Sequence, residues 1–165
     1  MSSAALEVQP VADQQRPELA EILRAQWGST QIVSRGRSYD ASRLPALVCL
    51  DGDRIVGMAT FEFSSGDCQV LTLNALEQQR GIGSLLLESV IQEARGSRCR
   101  RLWLLTSNDN LDAMRFYQRR GLHLVAVYPG AIDEERRRFK PEIPLIGNYE
   151  IPIRDELEFE LVLEA

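Results

Sequence analysis

The sequence has few of the side chains that support metal or disulfide chemistry. It contains a single histidine, His123, and three cysteines, Cys49, Cys68 and Cys99, with no Cys-x-x-Cys pair. Unpaired cysteines at wide spacing indicate reduced thiols, and one histidine leaves a zinc site without its usual ligands. We therefore expect no metal cofactor, and we expect His123 to be a structural residue.

Long apolar runs and a strong net charge are absent as well. No run approaches the roughly 18 residues of a membrane-spanning helix, and the N-terminus, Met1 to Ala5, has no basic region followed by an apolar stretch. The net charge of −5 gives no electrostatic reason to expect nucleic acid or an anionic membrane surface as a partner. These absences predict a cytoplasmic protein that binds neither nucleic acid nor membranes.

What the chain does contain is the composition of one ordinary globular domain. Its 165 residues, 44% hydrophobic and 26% charged, are enough to bury a full core and argue against wholesale disorder. We therefore expect a single domain over residues 1–165.

Hydrophobic periodicity predicts strands and helices in a recognisable order. The predicted strands cover residues 5–11, 46–50, 54–63, 68–74, 102–106, 122–128 and 157–163. The predicted helices cover residues 14–26, 82–96 and 110–120, and the polar stretch 31–42 is predicted to be a loop or a short irregular helix. Three antiparallel strands leading into a β-α-β-α-β order predict an α/β (α+β) fold, with a mixed sheet and helices on both faces.

The most informative segment joins the fourth predicted strand to the second predicted helix, and its sequence is Gln78-Gln79-Arg80-Gly81-Ile82-Gly83-Ser84. Unpaired backbone N–H groups and the macrodipole at a helix N-terminus attract an anion, and glycines let the backbone approach it. The segment lacks the Gly-Lys-Ser/Thr of a P-loop and the third glycine of a dinucleotide-binding turn. It therefore predicts a pyrophosphate site, with an ordinary strand-to-helix turn as the alternative.

A second segment follows the fifth predicted strand. Asp109 or Asn110 can cap a helix there, Phe116 and Tyr117 lie on one helix face, and Gly121 suits the left-handed position after the last turn. The start and the end of a helix are thus both indicated.

Together the two segments resemble the core of the GCN5-related N-acetyltransferases (GNAT). The run Gln-x-x-Gly-x-Gly is similar to that family's acyl-coenzyme A motif. The run Asn-x-x-Ala-x-x-Phe-Tyr-x-x-x-Gly-Leu is similar to the second half of its core, where members usually end in Gly-Phe. The resemblance covers residues 47–127 and implies the GNAT fold, a sheet of about seven strands splayed between strands 4 and 5. It also implies an enzyme that transfers acetyl from acetyl-coenzyme A to a primary amine of a small molecule or peptide.

The resemblance implies coenzyme contacts from the turn, the strand before it and the helix of the second segment. These residues are Leu71, Leu73, Gln78, Gln79, Arg80, Gly81, Ile82, Gly83, Ser84, Asn110 and Tyr117. Backbone N–H groups of the turn would hold the pyrophosphate, and the Arg80 side chain could add charge. The pantetheine arm would run along the strand edge at Leu71 and Leu73, where a bulge would aim an N–H at the thioester oxygen. Asn110 has an equally good structural reason to be present, as a helix cap.

Catalysis needs a proton donor for the leaving thiolate and a proton acceptor for the amine. Tyr117 matches the family position commonly assigned as general acid; the alternative is that it packs beside Phe116. Glu62 and Glu77 are the predicted bases, and each has the alternative of a solvated carboxylate at a strand end. By resemblance, the stretch that holds Trp27, Arg35, Arg37 and Tyr39 forms one side of the acceptor groove; ordinary surface or core is the alternative for these four residues.

The segment 129–156 departs from the shortest family pattern. Between Pro129 and Asp155 it holds four of the seven prolines around a charged patch at 133–138, which predicts an ordered but irregular excursion. It is predicted to be a short solvated helix plus a rigid loop, a wall of the acceptor pocket with Ile143 to Ile146 covering apolar surface, or a dimer contact. In the wall hypothesis Asp133, Arg136 or Arg137 faces the acceptor. Monomer and homodimer both stay open.

Two alternative functions remain open at the level of sequence. The same fold could transfer another acyl group or acetylate a hydroxyl, or it could bind acyl-coenzyme A without catalysis as a sensor. The glycine turn and Tyr117 favour the enzyme, because a sensor has no need of a general acid.

Overall fold

A seven-stranded mixed sheet forms the centre of the computed structural model, which describes residues 5–163. Its strand order is β1-β4-β5-β6-β7-β9-β8, and β2 and β3 form a separate hairpin. The strands are β1 (Glu7–Pro10), β2 (Gln31–Ser34), β3 (Arg37–Asp40), β4 (Ala46–Asp51), β5 (Arg54–Ser64), β6 (Asp67–Ala75), β7 (Arg101–Ser107), β8 (His123–Tyr128) and β9 (Glu156–Val162). The helices are α1 (Arg16–Trp27), α2 (Ile82–Gly96), α3 (Leu111–Arg119) and α4 (Ala131–Arg138).

The predicted fold class is confirmed, and the helices lie on both faces of the sheet. Residues that alternate along β4 separate into two cores: Cys49 packs with the α2 side, and Val48 packs with Leu19 and Leu23 of α1. This division follows from the strand period of two, because neighbouring side chains point to opposite faces.

The stretch 31–42 corrects the prediction of a loop or irregular helix. It holds the β2–β3 hairpin and a short 3-10 turn at Ala41–Arg43. Arg35 and Gly36 form the hairpin turn, both with positive φ (49° and 74°), the conformation that a two-residue hairpin turn requires. Polar residues fill most of the hairpin, so its period-two pattern was hidden.

The sheet opens between β6 and β7, as expected of strands 4 and 5 of the prediction. The parallel pairing runs only from Asp67 with Arg101 to Val70 with Leu104. Both strands continue beyond that point, and on the other side of β6 the register with β5 shifts so that Leu71 has no partner among the described strand pairs. Leu71 is therefore a bulged residue at the start of the opening.

Helix α2 packs unusually close to β5 at Gly57. A Cβ added to Gly57 would lie 3.0 Å from Leu86 Cδ1 and 3.0 Å from the Asn74 carbonyl oxygen, and it would overlap Ile82 Cγ2. Ile82 and Leu86 are almost fully buried. Glycine at this position thus lets the first turn of α2 lie against the sheet and fixes where the helix begins.

We expect Gly57→Ala to lower the free energy of unfolding by about 1–3 kcal/mol, since the methyl group overpacks the α2–sheet contact. Gly96→Ala is the matched control: Gly96 has no neighbour within 4 Å of an added Cβ, and alanine stabilises a helix by up to about 1 kcal/mol over glycine. Urea denaturation of both variants measures the difference. Equal stabilities would contradict the tight contact.

Candidate active site

A groove lies between the start of α2 and the exposed side of α3. Its volume is about 490 Å³. It is lined by Leu73, Ala75, Glu77, Gln78, Gln79, Gly81, Ile82, Gly83, Ser84, Asp112, Ala113, Arg115, Phe116, Tyr117, Arg119 and Arg120. We call it the α2–α3 groove. It brings together most of the residues that the sequence predicts to contact a coenzyme.

The turn before α2 has the backbone shape of an anion-binding nest. Gln79 and Gly81 have positive φ (62° and 73°), and Gly81 is the N-cap of α2 without a side-chain cap. Nothing lies within 4 Å of a Cβ added to Gly81, so open space faces the turn. The N–H groups of the first helical turn have no intrahelical acceptor, and they point into this space.

Helices α2 and α3 meet closely at Gly83. A Cβ added to Gly83 would lie 3.3 Å from the Phe116 ring and 3.9 Å from Leu73 Cδ2. Glycine here lets the groove narrow towards Tyr117. The two glycines of the turn therefore have different tasks: Gly81 shapes the nest, and Gly83 permits helix packing.

Positive charge in the groove comes from α3, which sequence reasoning missed. The Arg120 Nε donates to Ser84 Oγ at 3.0 Å, and the guanidinium lies 3.7 Å above the Phe116 ring. Arg115 and Arg119 also line the groove. Their spacing of four residues on one helix face was the available signal.

The Arg80 side chain turns away from the groove. Its Nη1 donates to Asp51 Oδ2 at 2.9 Å and to Glu77 Oε2 at 2.6 Å. This geometry corrects the prediction that the Arg80 side chain adds charge to the site. Only its backbone N–H can contribute there.

The opening between β6 and β7 holds a second cavity of about 230 Å³, which we call the splay pocket. Its walls are Trp27, Ile32, Val33, Ser34, Gln69, Val70, Leu71, Leu105, Thr106, Ser107, Asn110, Ile132, Glu135, Lys140, Ile143, Ile153 and Glu156. Leu71 belongs to the core on the α1 side of the sheet, and Leu73 packs against the core on the α2 side. Leu71 and Leu73 are two residues apart on β6, and the cavities that they line lie on opposite faces of the sheet.

The excursion 129–156 contains the predicted short helix, and part of it lines the splay pocket; that this pocket takes the acceptor stays a prediction. Ile143 lines the splay pocket, whereas Leu145 and Ile146 are exposed, which corrects the prediction that Ile143 to Ile146 together cover apolar surface. Arg136 donates to the carbonyl oxygens of Ile143, Pro144 and Ile153, each at 2.9 Å. Arg136 therefore ties the excursion together and does not face the pocket.

Three charged residues line the splay pocket: Glu135 of α4, Lys140 just after α4, and Glu156 of β9. None of these three was predicted. Glu135 follows Ile132 by three residues and so shares its inward face, but the surrounding charged run concealed this pattern. Arg137 is exposed, and Asp133 is engaged by Arg136 at 2.7 Å.

Tyr117 lies in the α2–α3 groove, with only 9% of its surface exposed. Its ring meets Phe116 edge to face at 5.3 Å between centroids, and its hydroxyl has no hydrogen bond to another described residue. Burial raises the pKa of Tyr117 to about 12, so the phenol stays protonated at neutral pH. Tyr117 thus packs in the core and also lines the groove, and a role as general acid stays a prediction.

Asn110 caps α3, since its Oδ1 accepts from the Ala113 N–H at 3.2 Å. The same residue lines the splay pocket. Its structural task is therefore visible in the geometry, and contact with a coenzyme stays a prediction.

The two predicted bases lie outside the splay pocket. Glu77 sits on the rim of the α2–α3 groove, where hydrogen bonds from Arg80 and Arg54 hold its pKa below the usual value. Glu62 lines a separate polar cavity with Tyr39 and Arg37. A base role for either stays a prediction, and neither faces the cavity at the opened strands.

The residues expected on the acceptor side are divided between two cavities. Trp27 lines the splay pocket, and Arg37 and Tyr39 line the polar cavity. The Arg35 guanidinium lies 4.2 Å above the Trp103 ring and pairs with Glu158, a buried carboxylate. Arg35 thus anchors the β2–β3 hairpin to the sheet.

Residues 5–163 hold no cluster of three or more histidine, cysteine or acidic side chains arranged to bind a metal ion. No described helix is long and apolar enough to cross a membrane.

The chain belongs to the acetyltransferase (GNAT) family, whose sequence model it matches over residues 12–122. Two Bacillus subtilis (strain 168) proteins are similar to it. The uncharacterized protein YxbD is 39% identical over 132 residues, which are 79% of this chain and 82% of YxbD. The uncharacterized protein YdhI is 33% identical over 147 residues, which are 88% of this chain and 91% of YdhI.

Solved structures show the same fold. A GNAT family acetyltransferase from Elizabethkingia anophelis with acetyl-CoA bound superposes with a TM-score of 0.69 at 16% identity, covering 96% of this chain and 98% of that one. The IAA acetyltransferase from Bacillus cereus ATCC 14579 superposes with a TM-score of 0.70 at 17% identity, covering 96% and 100%. The family and the fold therefore agree with the resemblance seen in the sequence.

Arg120 lines the groove, whereas the Arg80 side chain pairs with Asp51 and Glu77, so removing the two charges should affect anion binding differently. We expect Arg120→Gln to weaken the binding of ADP about 3- to 10-fold, because one charge-assisted contact to a phosphate contributes roughly 1 kcal/mol. Arg80→Gln is the control, since its side chain is already engaged by Asp51 and Glu77. Titration calorimetry at low salt compares the two variants. A larger loss with Arg80→Gln would contradict the assignment.

Proposed function

We propose that this protein is an N-acetyltransferase that moves the acetyl group of acetyl-coenzyme A onto a primary amine. One observation carries the proposal: the splay pocket reaches the bulged Leu71 and the α2–α3 groove reaches Leu73, two residues further along β6, so the two cavities approach the opening from opposite faces of the sheet. A long donor in the groove would bring its thioester to the opening, and an acceptor would reach the same point from the pocket. Transfer between two bound partners needs such a junction.

The groove fits the coenzyme on three grounds of this structure. Open space at Gly81 and the free N–H groups of the turn suit a pyrophosphate. Arg120 and its neighbours on α3 suit further phosphate charge. The edge of β6 at Leu73 is left without a parallel partner and can accept an extended pantetheine arm by strand addition. Gln78 and Gln79 border the same entry.

The bulge at Leu71 supplies electrostatic support for the reaction. An N–H that is not used in the ladder can donate to the thioester oxygen as negative charge develops there. Leu71 also lines the splay pocket, so a thioester held beside it would lie within reach of an acceptor there.

Tyr117 is the proposed proton donor to the departing sulfur. Burial raises the pKa of its phenol to about 12, well above about 8.5 for a solvated thiol. The same burial acts on a thiolate leaving within the groove and raises its pKa as well. Tyr117 is therefore a hydrogen-bond donor that is never lost to ionisation at neutral pH.

The glycine turn gives the first test of this function. Gly81→Leu should weaken coenzyme A binding by one to two orders of magnitude, about 1.4–2.8 kcal/mol, because the side chain would fill the space of the pyrophosphate. Gly130→Leu is a matched control: Gly130 is also a left-handed N-cap with φ 73° and open space. Both variants carry the same backbone strain. Calorimetry showing equal affinities would remove the turn as the site.

Activity gives the second test. The purified protein with acetyl-coenzyme A should release free thiol in the presence of small primary amines, with the acetamide detected by mass. Tyr117→Phe removes only the hydroxyl, and we expect kcat to fall about 100-fold while coenzyme affinity stays near native.

Two outcomes would contradict this view. Tight coenzyme binding with no transfer to any amine or alcohol would leave a sensor, and transfer only to alcohols would make the protein an O-acyltransferase. A native kcat in Tyr117→Phe would return Tyr117 to a packing role.

A further inference from the structure

Two carboxylates, Glu135 of α4 and Glu156 of β9, face the splay pocket together. Neither has a basic nitrogen within 4.0 Å among the described residues, and no described side chain donates a hydrogen bond to either. Two other carboxylates of the sheet are paired by contrast: Asp67 with Arg101, and Glu158 with Arg35 and Arg101. The two carboxylates at the pocket have no such partner.

The surroundings of this pair disfavour negative charge. Burial and, to a smaller extent, the charge of Glu156 raise the pKa of Glu135 to about 7, and Lys140 opposes the shift. Burial also raises the pKa of Glu156, against the influence of Arg35. The remaining charges facing Glu135 lie on the wall of an adjacent cavity, which holds Arg35, Glu134 and Arg138.

A bound cation would be the favoured partner for the carboxylates of Glu135 and Glu156. Two partly buried carboxylates beside apolar walls stay ionised only at a free-energy cost, unless a bound cation pairs with them. A primary ammonium carries three N–H donors and can bond to both carboxylates at once. The apolar walls, among them Ile132, Ile143 and Leu105, suit a hydrocarbon attached to that ammonium.

We propose that Glu135 binds the ammonium group of the acceptor and takes its proton, and that the splay pocket selects a small apolar primary amine without a carboxylate. The inference rests on the proposed acetyl transfer and names its acceptor class and its base. Glu156 is a positioning residue, which holds the ammonium and tunes Glu135.

With Glu135 as base, every proton in the transfer is accounted for. An alkylammonium with a pKa near about 10.4 is almost wholly protonated at neutral pH and cannot attack. The Glu135 carboxylate takes one proton, and the neutral amine forms the C–N bond to the thioester carbonyl as the C–S bond breaks. Tyr117 gives its proton to the departing sulfur and takes the second amine proton in its place, and Glu135 returns its own proton to water. The products are an acetamide and a free thiol.

Size and charge define the acceptor class. The pocket volume of about 230 Å³ lies below the range of roughly 300–1,000 Å³ that drug-sized ligands occupy. It therefore suits a small amine better than an oligosaccharide or a folded peptide. Glu135 and Glu156 against Lys140 leave one excess negative charge, which repels a carboxylate next to the amine.

The acceptor class is tested with two compounds that differ only by a carboxylate, isopentylamine and leucine. We expect kcat/KM for isopentylamine to exceed that for leucine by about 10-fold or more, since unfavourable charge juxtaposition is worth at least about 1.4 kcal/mol here. Glu156→Gln should narrow this preference. Equal use of the two compounds, or a preference for leucine, would overturn the selectivity.

The base is tested by pH profiles of kcat/KM. We expect Glu135→Gln to lower kcat/KM at pH 7 about 100-fold and to move the rising limb towards the ionisation of the amine itself. Glu156→Gln should move the limb to lower pH, because the charge it removes raises the pKa of Glu135. Glu142→Gln is the control in the same excursion, because Glu142 is exposed and lines neither the splay pocket nor the adjacent cavity; its profile should be native.

Calorimetry with coenzyme A separates the two levels of the proposal. Native coenzyme affinity in Glu135→Gln with a lost rising limb supports Glu135 as base. If Glu135→Gln acetylates amines with the native rate and pH profile, Glu135 is not the base, and the proposed acetyl transfer still stands. No transfer to any amine by the unaltered protein would overturn the proposed function first, and the inference with it.

Discussion

The structure depends on one interruption of hydrogen bonding, the early end of the β6–β7 pairing. Four residue pairs hold the two strands together, from Asp67 with Arg101 to Val70 with Leu104. Beyond them each strand has a neighbour on its outer side only, β5 for β6 and β9 for β7. Unpaired backbone groups inside a domain are unfavourable unless something else satisfies them. An opening of this kind is therefore a place prepared for another strand-like partner.

The close packing of α2 keeps that opening in place. Gly57 lets Ile82 and Leu86 lie against β5, and Gly83 lets Phe116 of α3 lie against α2. Both helices pack on one face, and the start of α2 lines the same groove as Leu73 and Ala75 at the end of β6. The sheet opening and the anion-binding turn are thus parts of one arrangement, because the same glycines position both.

Much of this arrangement could be predicted from sequence because the signals are local. The apolar period and the glycine pair set α2 at 82–96, as observed, and the Asn110 cap placed α3 to within one residue. Charge pairing across the fold was beyond prediction: Arg80 pairs with Asp51, which lies 29 positions earlier, as well as with the nearby Glu77. The β2–β3 hairpin and the inward face of α4 were missed because polar residues there are buried by tertiary contacts and not by their own pattern. The sequence therefore predicts most residues of the turn that line the α2–α3 groove, whereas the residues of the splay pocket come together only in the folded structure.

The pocket wall in turn depends on a buried charge network near the start of β9. Glu158 is 4% exposed and accepts from Arg101 at 3.0 Å and Tyr128 at 2.9 Å, with Arg35 as its third partner. Arg35 belongs to the hairpin that carries Ile32 and its neighbours into the splay pocket. Removing one partner from a buried, hydrogen-bonded carboxylate is strongly unfavourable, so the hairpin is held in one position over the sheet. Glu158 is satisfied and Glu156, two residues away on the same face of β9, is not. The carboxylate of β9 without an ion-pair partner is therefore that of Glu156, at the splay pocket, where an acceptor would bind.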